Sequence, residues 1–157
     1  MPNNAIMNAK DAVYGSLASC YVTIKGRRFN FMNLTEFESK WEVNITDVPL
    51  LGKVGMGHKA AGASGTWSGT AHYNQSHLRE LANEYQRTGA LPYFEIQVTN
   101  EDPTSVVGRQ TITHSDCLFD SVVLAKFQAG EDVLSEDQSG TFDSWDMPET
   151  FNELPGI

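Results

Sequence analysis

Glycines, a histidine and a lysine fall together at Gly52-x-x-x-x-Gly57-His58-Lys59, a pattern close to that of a loop that cradles phosphate. Such a loop needs lysine directly after the second glycine, then Ser or Thr, then a helix whose N-terminal amides face the anion. His58 interrupts that order, Ala60 takes the hydroxyl position and the following residues alternate like a strand, so phosphate binding is not expected. His114-Ser-Asp116-Cys117 sets a thiol near a base. In an extended strand His114 and Asp116 share one side and Cys117 points to the other, which makes a buried structural cysteine the expectation. His72 and His77 have no cysteine or carboxylate at ligand spacing. The carboxylates of the C-terminal half are too dispersed to single out an acid–base pair. No catalytic residue, metal or cofactor is therefore assigned, and an enzyme is not expected.

The scaffold around these residues is expected to be one domain, 1–157, because 157 residues suffice for one core and not comfortably for two. A composition 40% hydrophobic and 20% charged is that of a globular chain. The start has neither a basic nor an apolar run, so no leader and no membrane binding are expected. Cys20 and Cys117 show no partner pattern, which points to free thiols in a reducing cytoplasm. The net charge of −9 argues against a protein held to nucleic acid by phosphate contacts. That charge is uneven: residues 1–94 carry nine Lys or Arg and seven Asp or Glu, whereas residues 95–157 carry two and thirteen. No carboxylate occurs between Asp47 and Glu80.

Period-two alternation supplies most of the elements. Residues 17–24 and 27–32 flank Lys25-Gly26 as a hairpin. From Glu36 to Ile45, Phe37, Trp41, Val43 and Ile45 share one face of a half-buried strand. Residues 46–65 are rich in glycine and lack periodic apolar residues, and they read as a flexible loop. Alternation returns at Trp67, Ala71 and Tyr73. A helix is expected over 76–88, with Ser76 as N-cap, Leu78, Leu81, Ala82 and Tyr85 inward, Arg79, Glu80, Glu84 and Arg87 in water, and Gly89 as its stop. Strands follow around Phe94, Ile96 and Val98, over 106–114 after a turn at Asn100-Glu-Asp-Pro103, one or two over 118–127, and one over 138–147 around Phe142 and Trp145; Pro148 and Pro155 close the chain. The fold class is mainly β (α+β), an antiparallel two-sheet sandwich or barrel-like domain with one flanking helix.

The run Gly57-His58-Lys59-Ala60-Ala61-Gly62-Ala63-Ser64-Gly65-Thr66 leads into a strand, a helix, the Pro92-Tyr93-Phe94 entry to the next strand, and an acidic close with Phe142, Trp145, Asp146 and Pro148. In that order, over roughly 16–154, the chain resembles the tail tube protein of contractile-tailed bacteriophages and phage-like elements. The resemblance implies a two-sheet β fold whose copies form hexameric rings stacked into a hollow tube, with strands of neighbours joined into one inner barrel; R-type bacteriocin tubes are similar. It also implies tail sheath, baseplate, tail terminator and tape measure proteins as partners. DNA would pass through the bore without specific binding. The implied location is the virion tail tube, after synthesis and assembly in the bacterial host cytoplasm.

Physics leads the same way, since edge pairing and head-to-tail closure remove exposed strand edges. Residues 46–65 are expected to form a self-assembly loop built on Lys53, Gly55, Gly57, His58, Lys59, Gly62 and Gly65, acid-free so that it lies against acidic partners. Part of the acidic half is expected to face the bore and repel phosphates. The competing expectation is a monomeric β-sandwich that binds a ligand or adheres through the glycine loop.

Overall fold

The computed structural model describes residues 7–31, 34–130 and 133–154. Met32 and Pro155, assigned above to a strand and to the closing segment, lie outside them.

In chain order the described elements are β1 (Ala18–Ile24), β2 (Arg27–Asn30), β3 (Leu34–Val48), β4 (Gly57–His72), α1 (His77–Thr88), β5 (Phe94–Glu101), β6 (Arg109–Ser121), β7 (Ser135–Phe142) and β8 (Ser144–Glu149). The β1–β2 turn uses Lys25 and Gly26 with φ of 51° and 79°, the positive pair a tight hairpin demands. One sheet runs β2-β1-β5-β6 with β8 along β6; the other runs β6-β7-β4-β3. All pairings are antiparallel.

β6 belongs to both sheets. Residues up to Cys117 pair with β5 or β8, and Leu118 onward pairs with β7. The change falls at Asp116, whose φ of 55° interrupts the ladder. A bulge bends its strand and increases the twist, and here it turns the corner between two packed sheets. The expected sandwich is present.

Val22, Phe31, Trp67, Ala71, Phe94, Ile96, Cys117 and Phe142 fill the interior, closed by Leu78 and Leu81 of α1. Trp67 meets Phe31 and Phe94 edge-on and stacks beside Phe37. A Cβ at Gly140 would strike the Leu118 carbonyl oxygen, which is why β7 carries glycine there.

The helix ends as expected at Gly89, in the left-handed region with its N–H on the Tyr85 carbonyl at 2.8 Å. Ser76 occupies the N-cap position without a side-chain cap bond. Two orientations reverse the expectation. Tyr85 is exposed, and Arg79 turns inward because the Glu136 side chain of β7 is fully buried and requires a cation. Arg79 pairs with Glu136, donates to the carbonyls of Gln75 and Val123, and lies 4.5 Å over the Tyr73 ring. Gln138 donates to the other Glu136 oxygen at 2.8 Å. The strand expected over 118–127 stops at Ser121, because beyond it the Val123 and Leu124 carbonyls are taken by Arg79 and the Tyr73 hydroxyl instead of a ladder partner.

Candidate functional site

β3 and β4 pair from Leu34 and Ala71 to Val48 and Gly57. In the near half, β7 covers the other edge of β4 from Gly65 to His72. Beyond Gly65, β4 has no second neighbour among the described residues, and residues 42–47 and 58–64 are exposed throughout. This free ribbon reaches roughly 25 Å from the body at the usual strand rise.

The ribbon has two faces. Trp41, Val43 and Ile45, with Ala63 and Ala60 opposite, make one apolar; Glu42 and Thr46, with Ser64 and Lys59 opposite, make the other polar. At the root Trp41 stacks on Phe142 with ring centroids 6.0 Å apart and meets Trp145 edge-on at 6.2 Å. The apolar face therefore continues the core outward, with Trp41 41% and Ile45 60% exposed. At the tip Leu51 and Val54 are fully exposed, and Leu50 and Met56 about half.

The flexible loop expected over 46–65 is corrected by this geometry: residues 49–56 alone connect the two strands. The alternation was invisible because residues 58–64 place alanine, glycine and serine where strands usually show large side chains. Each expected loop residue has a definite place. Lys53 and Gly55 lie in the tip, and Gly57 opens β4 beside the Leu50 side chain. His58 faces Asp47 at 3.3 Å and Lys59 pairs with Thr46. Gly62, with φ of 98°, forms a bulge where Val43 pairs with Ala63 but Ile45 pairs with Ala60. Gly65 belongs to the body, since a Cβ there would strike the Phe142 ring.

The acid-free surface is corrected too. β3 lays Glu42 and Asp47 beside the acid-free strand, so across 40–65 three lysines meet two carboxylates and little net charge remains. Lys53 has no ion-pair partner among the described residues.

A buried polar contact fixes the root. His114 donates from Nδ1 to the Ile96 carbonyl at 3.0 Å; because that carbonyl only accepts, Nε2 is unprotonated and receives the Ser39 hydroxyl of β3 at 2.9 Å. Burial holds His114 below the ordinary histidine range. The bulge at Asp116 changes the strand parity, so His114 and Cys117 both face the core while Asp116 turns out, contrary to the simple alternation. Burial pushes the Cys117 thiol up to about 12, and its proton goes to the His114 backbone carbonyl at 3.5 Å rather than to the ring. A thiol–imidazole pair is absent from this cluster.

The outward face of the β6-β7-β4-β3 sheet carries Glu38, Lys40, Thr66, Ser68, Thr70, Asp137 and Ser139, with Thr70 bonded to Asp137 at 3.0 Å. Among the described residues no group of three or more His, Cys, Asp or Glu is placed to hold a metal, and no helix is long and apolar enough to cross a membrane.

A two-sheet antiparallel sandwich with a bare two-faced ribbon defines the class. A family model described as "Phage tail tube protein" matches residues 5–149, and the chain belongs to that family of structural tail proteins. The phage-like element PBSX protein XkdM of Bacillus subtilis (strain 168) is 31% identical over 121 residues, covering 77% of this chain and 82% of that one. YqbM of the same strain is 32% identical over 117 residues, covering 74% and 80%. The fold is shared with a chain of the anti-feeding prophage tube-terminating cap (TM-score 0.64, 12% identity, coverage 96% and 99%). It is also shared with a chain of the sheath–tube complex of an extracellular contractile injection system in the extended state (TM-score 0.63, 10% identity, coverage 92% of each).

Proposed function

We propose that this chain is the repeating subunit of the inner tube of a contractile phage or phage-like tail, assembled as stacked hexameric rings through which DNA leaves. One observation carries the reading: the ribbon leaves the body with Val43 and Ile45 exposed and no second sheet over them among the described residues, and with Trp41 only partly covered by Phe142 and Trp145. A lone two-stranded ribbon is marginal in water, and each Å² of apolar surface it hides gains about 25 cal/mol. A neighbouring copy that covers this face stabilises it.

Sheet order supports ring closure. The strands β6-β7-β4-β3 alternate in direction, so β3 of one copy runs antiparallel to β6 of the next. A head-to-tail ring then keeps one antiparallel barrel without an edge. The serine, threonine and carboxylate face suits the bore, because fixed negative charge repels phosphates and lets a duplex slide without being bound. Residues 49–62, with Lys53, Gly55, Gly57, His58, Lys59 and Gly62, serve as the arm that orders against a neighbouring ring. Sheath, baseplate, terminator and tape measure proteins are the companions of such a tube, which is made and assembled in the bacterial cytoplasm, works in the particle's tail and has no catalytic part.

Electron microscopy of the purified chain tests this. Rings and hollow filaments of sixfold symmetry are expected at raised concentration; a monomer at every concentration overturns the reading. With residues 43–62 replaced by Asn-Gly, the body should keep its circular dichroism and lose filaments. Persistent filaments remove the arm from the account.

A further inference from the structure

Exposed apolar residues lie beyond both ends of the 16-residue strand β4. At its start the arm tip exposes Leu50, Leu51, Val54 and Met56. Past its end, the connection between β6 and β7 exposes Leu124 by 70%, Phe127 by 92% and Val133 by 62%. Hydrogen bonds fix that second patch to the end of β4. The Tyr73 hydroxyl donates to the Leu124 carbonyl at 3.2 Å, the Tyr73 N–H to the Leu134 carbonyl at 3.1 Å, and Lys126 Nζ to the Ser135 carbonyl at 2.7 Å, Ser135 itself pairing with His72. Single exposed apolar residues are ordinary, whereas clusters held at the two poles of one strand mark a contact.

We propose that the Leu124–Phe127 pole is the seat for the arm tip of the next copy, Leu51 and Val54 of one subunit packing on Leu124 and Phe127 of another along the tube axis. This rests on the stacked-ring reading and names its receiving surface. Position is the first argument. The two patches lie about 50 Å apart along β4 by strand rise, so translation along the strand sets one on the other, and a heterologous contact of that type repeats without limit. Chemistry is the second. The Val123, Leu124 and Ser135 carbonyls at the pole already hold donors from Arg79, Tyr73 and Lys126, so covering them with leucine and valine strands no acceptor. Charge is the third: Lys53 rides on the tip with no ion-pair partner among the described residues, while Asp120 and Asp137 are exposed beside the pole, a rim of opposite sign that steers the encounter.

The test uses full-length chains assembled into filaments. Oxidation of a Leu51→Cys, Phe127→Cys double variant should give a ladder of covalent multimers on a non-reducing gel; a Leu51→Cys, Tyr14→Cys control should give none. Cys20 and Cys117 stay silent, since burial pushes both thiols up to about 12. Because both pole side chains are exposed, Leu124→Asp with Phe127→Asp should fold normally by circular dichroism, close rings, and raise the concentration needed for filaments at least tenfold. Leu51→Asp should do the same. Filaments without the ladder, or aspartate variants that polymerise like the parent, overturn the seat and leave the ring reading standing. A parent chain that forms no rings overturns that reading and the seat with it.

Discussion

The two halves of the β3–β4 hairpin obey one period-two pattern and meet opposite fates. In the near half Trp67 is buried under Phe31, Phe94 and Phe37; in the far half Val43 and Ile45, on the same side of the ribbon, stand in water. A second sheet and a helix cover the first, and none of the described elements covers the second. Alternation tells which side of a strand is apolar and leaves open what covers it. Two tryptophans make the contrast measurable. Trp67→Ala should cost the monomer about 3–5 kcal/mol as a core cavity, read as a lower urea midpoint at constant slope. Trp41→Ala should cost it about 1 kcal/mol or less and abolish filaments. Equal losses would erase the distinction between the halves.

Within the body, the Arg79–Glu136 pair offers an effect of similar or slightly smaller size. Removing one partner of a buried pair leaves the other charge uncompensated, at about 3–5 kcal/mol. Arg79→Ala should therefore melt far below the parent, and Arg79→Met combined with Glu136→Met should recover most of the loss. Failure of the double variant to recover would mean that the hydrogen bond to Val123, which ties α1 to the connection after β6, matters more than the charge pair with β7.

Much of the body was legible in the sequence, because Phe94, Ile96, Leu78, Leu81 and Trp67 repeat at the periods of their elements and Gly26 and Gly89 punctuate them. Arg79 was misplaced because no local pattern announces a carboxylate buried nearly sixty residues away at Glu136. The corner at Asp116 was hidden because a non-glycine residue takes the positive φ. The arm was read as a loop because its strand character lies in pairing with β3, and small residues on β4 leave no hydrophobic signal of their own. Its assembly role was inferred from the absence of anything that belongs to a core, and that role rests on the proposal above.

Body and arm meet at Ser39 and His114, and pH probes that joint. His114 titrates below its unfolded value of 6.5 because its charged form is desolvated. Between the two values the unfolded chain holds the extra proton, so stability rises with pH there: it is complete above 6.5 and is lost as pH falls through the folded value. One proton contributes at most about 1.4 kcal/mol per pH unit. Urea unfolding from pH 8 downward should show this slope, and His114→Gln should flatten it. Asp102 acts in a separate, lower window. Its side chain accepts bonds from the Thr104 hydroxyl and N–H and from the Tyr14 N–H, which hold the carboxyl below 3.8, so its stabilisation is present above 3.8 and lost on further acidification. A slope near pH 6 that survives in His114→Gln would place the sensitive group outside the joint.

Charge on the arm sets the smallest effect. Lys53→Glu and Lys59→Glu alter exposed side chains, so the monomer should change by about 0.5 kcal/mol or less. Assembly should weaken a few-fold at low salt and the deficit should shrink as salt rises and screens it. Because Glu42 and Asp47 already balance most of the arm's lysines, this deficit must be smaller than that of Leu51→Asp, which removes apolar cover at the tip. If charge reversal proves the more damaging change, the arm is recognised by its field, and the bare apolar half of the hairpin needs another explanation.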